Sequence, residues 1–176
     1  MIGTDRIEAV RTKAGEARGI ARLKLVAALA LGCVTLAGCA GTPANAQTRH
    51  VPGTWENDYA FSPAVTTEGG RVIWVAGHHG AMDEAGNSLE GDFDAQVRMT
   101  FAEIEKTLAR EGATLADIVS MTVYITDAAQ SKRFTEIRKE YYPDGKYPAS
   151  ALVTVAGLAL PSMMVEIQPV AVVAGE

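Results

Sequence analysis

Val97, Phe101, Ile104 and Leu108 recur at spacings of four, three and four, a rhythm that places all four on one side of a helix. Asp92 stands where its carboxylate can cap the first turn, and Gly112 stands where the helix can end. A second segment, Ala128 to Tyr142, repeats the pattern with Phe134, Ile137 and Tyr141, and Pro143 stops it. Each helix has one apolar side and must bury it against something else. The segments between and around them read as strands. Val119 to Thr126 alternates apolar and polar residues, and Arg71 to Ala76, Ala151 to Val155 and Met164 to Val173 are β-rich. Ala64 to Thr67, the turn Glu68-Gly69-Gly70 and Arg71 to Ala76 suggest a hairpin, the two glycines supplying positive dihedrals. The order is ββαβαββ. Two helices can cover only one face of such a sheet, so the fold class is α+β and the other face needs a partner.

The chain begins with a different kind of segment. Leu25 to Gly38 is a run of fourteen small and apolar residues behind Arg18, Arg22 and Lys24. It is shorter than the roughly twenty residues of a bilayer span, and the shape is that of a signal peptide. Leu36-Ala37-Gly38-Cys39 closes the run and resembles a bacterial lipobox, with lipid attached to the Cys39 thiol and the chain cut before it. Ala44-Asn45-Ala46 is a competing site for ordinary signal peptidase, which would release a soluble periplasmic protein; an uncleaved anchor is the third alternative. The expected organisation is a signal peptide with lipobox over 1–39, a flexible tether over 40–50, and one domain over 51–176. The expected location is the periplasm, with lipid on Cys39 as the one membrane attachment.

Both cysteines, Cys33 and Cys39, fall in the signal segment, so the domain has no thiolate nucleophile or disulfide. Residues 1–39 carry six of the sixteen Lys and Arg and three of the twenty-one Asp and Glu. Residues 40–176 hold ten bases against eighteen acids and have no basic cluster, which argues against nucleic acid as a partner. His78 and His79 are adjacent, so on extended chain they point to opposite sides, and His50 is the third and last imidazole. Neither a metal nor another cofactor is expected.

Pro148-Ala149-Ser150-Ala151-Leu152-Val153, with Val165-Glu166-Ile167-Gln168-Pro169 after it, resembles the reactive-intermediate deaminase (RidA/YjgF) family, whose members carry Pro-Ala-Arg-Ser-x-Val and Val-Glu-Ile-Glu-Ala at these places. The resemblance runs from Phe61-Ser62-Pro63-Ala64-Val65 through Ala76-Gly77 to Ala171. It implies a chorismate-mutase-like fold, a homotrimer, and small-molecule pockets between subunits. Glu166 matches the glutamate that holds the attacking water in imine hydrolysis, and a carboxylate at the edge of an apolar strand is partly desolvated. Read from alternation alone, Glu166 is equally a strand glutamate on a solvated face. Gly77 matches a glycine whose backbone lines the pocket, and His78, where the family has glutamine, becomes a pocket donor or proton carrier. Phe61 takes the place of a tyrosine, Thr135 of a helix asparagine and Leu152 of a small polar residue.

Ser150 departs furthest, standing where the family's deaminases keep the arginine that clamps the substrate carboxylate. One hydroxyl replaces a planar fork of donors, a loss of about 2–5 kcal/mol for a buried carboxylate. The chain is therefore placed in an arginine-lacking branch, in which a standard 2-imino acid binds poorly. Arg133 or Arg138, on the second helix, could in principle substitute for the missing arginine from a neighbouring subunit, but their spacing does not demand it, and both read as a solvated helix face. The expected activity is hydrolysis of a small neutral or differently charged imine-like or enamine-like compound with Glu166 activating water. The alternatives are a non-catalytic ligand-binding or chaperone-like trimer and, third, the endoribonuclease activity attached to this family, against which the acidity argues.

Overall fold

The computed structural model describes residues 46–175. Residues 1–39, expected to be a signal peptide with its lipobox at Cys39, and the first part of the expected tether lie outside the described residues. The chain runs β1 (Gln47–His50), β2 (Val65–Glu68), β3 (Arg71–Trp74), α1 (Phe93–Ala109), β4 (Ile118–Ile125), α2 (Ser131–Tyr141), β5 (Ala149–Thr154) and β6 (Val165–Val173). Among the described residues no helix is long and apolar enough to cross a membrane.

Two details differ from the sequence-based expectation. Gln47–His50, expected in the tether, forms a strand antiparallel to β2, with His50 opposite Val65. Its polar side chains can face water while its backbone pairs, and for that reason composition alone reads it as a linker. The Gly69-Gly70 turn does not close a hairpin: β2 pairs with β1, and β3 pairs with β6 in a separate four-stranded sheet of order β3-β6-β4-β5. Both glycines have positive φ, 69° and 84°, and the turn redirects the chain from one sheet to the other.

In the larger sheet β4 and β5 are parallel, joined through α2, and β6 is antiparallel to both β3 and β4. Met121, Val123 and Ile125 of β4 and Val165, Ile167 and Ala171 of β6 are buried under Val97, Phe101, Ile104 and Leu108 of α1 and Phe134 and Ile137 of α2. Phe101 stacks on Tyr141 at 4.2 Å between ring centroids, which locks the two helices side by side. Asp92 caps α1 by accepting from the Ala95 N–H at 3.0 Å.

Both helices lie on one face. The opposite face carries Val72, Trp74, Tyr124, Val153 and Glu166, with Trp74 81% exposed. Trp74 and Val72 expose apolar surface along the edge strand β3, and Val153 does so on the opposite edge strand β5, exposure of the kind that marks an interaction surface.

Gly80 shows how closely the chain leaving β3 approaches α1. A Cβ there would stand 2.6 Å from Met99 Cβ and 2.9 Å from the Thr100 nitrogen, both within the helix. Gly80→Ala must shift α1 itself, so a destabilisation of about 1–3 kcal/mol is expected, read as a lower urea midpoint at unchanged slope.

Candidate functional site

The residues singled out by sequence fall on the two sides of the sheet. Ser150 and Leu152 project from β5 toward the helices. Glu166 alternates with the buried Val165 and Ile167 and projects from β6 to the open face. Ser150 is in register with Met121 and Glu166 with Tyr124 of the intervening β4. Three residues along the strand and two strand spacings across place their Cα atoms roughly 14 Å apart, given about 3.3 Å per residue and about 4.8 Å per strand. One chain cannot bring Ser150 and Glu166 to the same small molecule.

On the helix side, Phe61, Thr135, Ser150 and Leu152 line a cavity of about 580 Å³. Its outer wall is a 3₁₀ turn, Trp55–Tyr59, with the left-handed Ala60 (φ 57°) and Phe61 after it. Ser62 fixes this wall against the start of β5: its N–H donates to Pro148 O at 3.0 Å and its hydroxyl to Tyr147 O at 2.6 Å. Trp55 packs edge-on against both Tyr59 and Phe61, with centroids 5.9 and 5.6 Å away. Thr135 lines the cavity while its hydroxyl donates within α2 to Ser131 O at 3.1 Å.

The floor holds a residue whose sequence-based placement is wrong. Arg138, expected on a solvated helix face, is 2% exposed. One terminal nitrogen donates to Ser150 Oγ at 2.8 Å, the other to Tyr59 O at 2.5 Å, and the guanidinium carbon lies 5.2 Å from the Phe134 ring centroid. Its Nε is buried without a partner. Burial lowers the group to about 10, so it remains charged at neutral pH. The sequence does carry a signal: Arg138 is four residues after Phe134 and three before Tyr141, inside the apolar stripe of α2. Arg133 does lie on the outer face, paired with Asp94 and Glu136.

On the open side, Glu166 lies over Gly77. A Cβ on Gly77 would collide with Glu166 Oε1 and stand 3.0 Å from its Cδ, so only glycine leaves the carboxylate its present place. The two share an open groove with Tyr124, Gly157, Leu158 and Gln168. His78 joins the sheet through its backbone, exchanging two 2.9 Å hydrogen bonds with Ile167. Its ring turns from the groove, Nδ1 bonded to Ala76 O at 2.9 Å and Nε2 to Thr107 Oγ1 at 2.8 Å. Both ring nitrogens are thus occupied, in contrast to the pocket-facing role expected of them.

Gln96, which carries no motif in the sequence, braces the approach to Glu166. Fully buried on α1, it donates to Leu89 O at 3.0 Å and Ser162 O at 2.8 Å and accepts from the Met164 N–H at 2.9 Å. It ties the two loops to the residue before β6.

The family model for Endoribonuclease L-PSP matches residues 56–173, which takes in both halves of the site. The chain belongs to this family, the RidA/YjgF family of the sequence resemblance. A RutC family protein of Aquifex aeolicus is 35% identical over 113 residues, covering 64% of this chain and 87% of the relative. Among solved structures, the Rid family protein YyfB of Yersinia pestis is 26% identical with a TM-score of 0.64, covering 73% of this chain and 99% of that one. A member of the YjgF/YER057c/UK114 family from Mycobacterium tuberculosis is 31% identical with a TM-score of 0.51, covering 72% and 100%. The α+β fold with two helices on a mixed sheet is that of the RidA/YjgF family.

Proposed function

We propose that this RidA-family protein is an exported homotrimer that hydrolyses a small imine-like or enamine-like compound at sites shared between neighbouring subunits. The observation that carries this reading is the separation of the two half-sites: the aromatic cavity over Ser150 and the Gly77–Glu166 groove lie on opposite faces of one sheet. A cyclic assembly that packs the open face of one subunit against its neighbour's cavity joins the halves and also covers Trp74 and Val72. Glu166 then holds the water that adds to the C=N carbon, taking its proton as the C–O bond forms. Glu166 delivers that proton to nitrogen to give the carbinolamine, and then carries the hydroxyl proton the same way as the C–N bond breaks, leaving ketone and ammonia. Export, with Cys39 lipidated, rests on the apolar run and the lipobox-like Leu36 to Cys39.

The test is ammonia release from freshly generated imines, neutral and anionic, measured with and without the protein. Acceleration of at least one class is expected; spontaneous rates unchanged across the whole set would leave a binding protein in place of an enzyme. Gly77→Ala separates the two further. The new methyl displaces the end of a flexible side chain, so the fold loses little, yet a misplacement of about 1 Å at a reacting group costs up to about 100-fold in turnover. A variant with wild-type melting behaviour and turnover reduced by at least about tenfold is the expected outcome.

A further inference from the structure

Tyr124 is a polar side chain of the Glu166 groove that the proposed hydrolysis leaves unused. It stands directly opposite Glu166 in the β4–β6 pair, and residues so placed have their Cβ atoms about 4.5–5.5 Å apart on one face of the sheet. Side chains of this length could bond to each other. They do not: Glu166 leans the other way, its Oε1 occupying the place a Cβ on Gly77 would take, and among the described residues the Tyr124 hydroxyl makes no hydrogen bond. The Gly77 segment and β4 flank β6 on opposite sides, so this lean leaves a space between carboxylate and phenol.

Val155, Leu158 and Ala159 close that space with carbon. Gln168, the other polar side chain there, is two residues further along β6, opposite Thr122. The space is therefore bounded by a proton acceptor on one side and a hydrogen-bond donor on the other. Hydrolysis of a C=N bond has the same polarity. Water adds to carbon while the π electrons move onto nitrogen, and a fixed donor aimed at the atom that gains charge acts mainly on the transition state.

We infer that Tyr124 is a second catalytic residue, its hydroxyl donating to the in-plane lone pair of the substrate nitrogen while Glu166 takes the proton of the attacking water. This rests on the reading of the groove as the hydrolytic site, and it narrows the substrate class. As the C–O bond forms, the π pair passes to nitrogen and receives from Glu166 the proton that water lost. Tyr124 keeps its own proton, so imine and water become the carbinolamine with nothing left over. An imine nitrogen offers a lone pair in its plane to such a donor. The lone pair of an enamine nitrogen is delocalised into its C=C bond and accepts poorly, so the groove takes the imine tautomer.

Steady-state ammonia release from freshly generated 2-iminopropanoate and acetone imine, by full-length wild type and Tyr124→Phe, tests this. Phenylalanine keeps the ring and removes only the hydroxyl, so melting temperature and assembly size are expected to be unchanged. On the imine that the wild type hydrolyses faster, kcat should fall by about 100-fold, the scale for losing one transition-state donor, with KM within about threefold. A packing role would not produce that split. Tyr124→Phe as active as the wild type, or a raised KM at unchanged kcat, would overturn the inference. A wild type that accelerates neither imine would remove the hydrolytic reading and this inference with it. A wild type disabled by Glu166→Gln yet indifferent to Tyr124→Phe would remove the inference alone.

Discussion

Glu166→Gln is expected to reduce imine hydrolysis by about 100-fold or more while leaving ligand affinity within about twofold, because general acid–base assistance contributes about 10²–10⁴ and binding resides in the other half-site. The substitution is nearly isosteric and keeps the side chain over Gly77. It removes the group that can take a proton from water and return it to the leaving nitrogen. Within its own chain the carboxylate lies against the backbone at Gly77, and β6 and the His78–Ile167 bridge hold both in place. The check is single-turnover ammonia release beside calorimetric affinity. Lower affinity at unchanged turnover would make Glu166 a binding residue.

Gln96→Leu carries the largest expected effect on stability. The leucine has similar volume but leaves Leu89 O, Ser162 O and the Met164 N–H without the partner each now has. At about 1–3 kcal/mol for each unsatisfied buried group, a loss of about 3 kcal/mol or more is expected, a large part of the net stability of an ordinary domain. Met164 immediately precedes the strand that carries Glu166, so turnover should fall at temperatures where the variant is still folded. Chemical denaturation gives the first quantity and ammonia release the second. A change of under about 1 kcal/mol would mean that water reaches these groups.

Much of the fold is legible in the sequence because periodicity reflects burial directly. The face of α1 is readable from Val97, Phe101, Ile104 and Leu108, and β4 from its alternation, since both elements bury one side against a continuous core. The end of the chain is readable from Glu166 standing between Val165 and Ile167. The illegible parts are those in which a polar residue gains its role from a distant partner. Gln47–His50 looks like linker because its strand is held by backbone pairing with β2. Gln96 looks like a surface residue of a helix until the Leu89 and Ser162 carbonyls are seen to converge on it. Arg138 looks solvated because arginines usually are, although its place between Phe134 and Tyr141 marks a buried position. The substitution at Ser150 is plain in the sequence. Its surroundings are not, because Arg138, which donates to the Ser150 hydroxyl, stands twelve residues earlier in the chain and on the helix layer.

Complementation between subunits tests the shared site most directly. Thr135→Trp fills the cavity from α2, and Glu166→Gln disables the opposite half; each alone should be inactive. Co-expressed with different tags and purified as mixed trimers, they should regain activity, because a cavity from a Glu166→Gln chain meets a glutamate from a Thr135→Trp chain at one of the three sites of each mixed trimer. Mixed assemblies as inactive as either parent would contradict a site built from two chains.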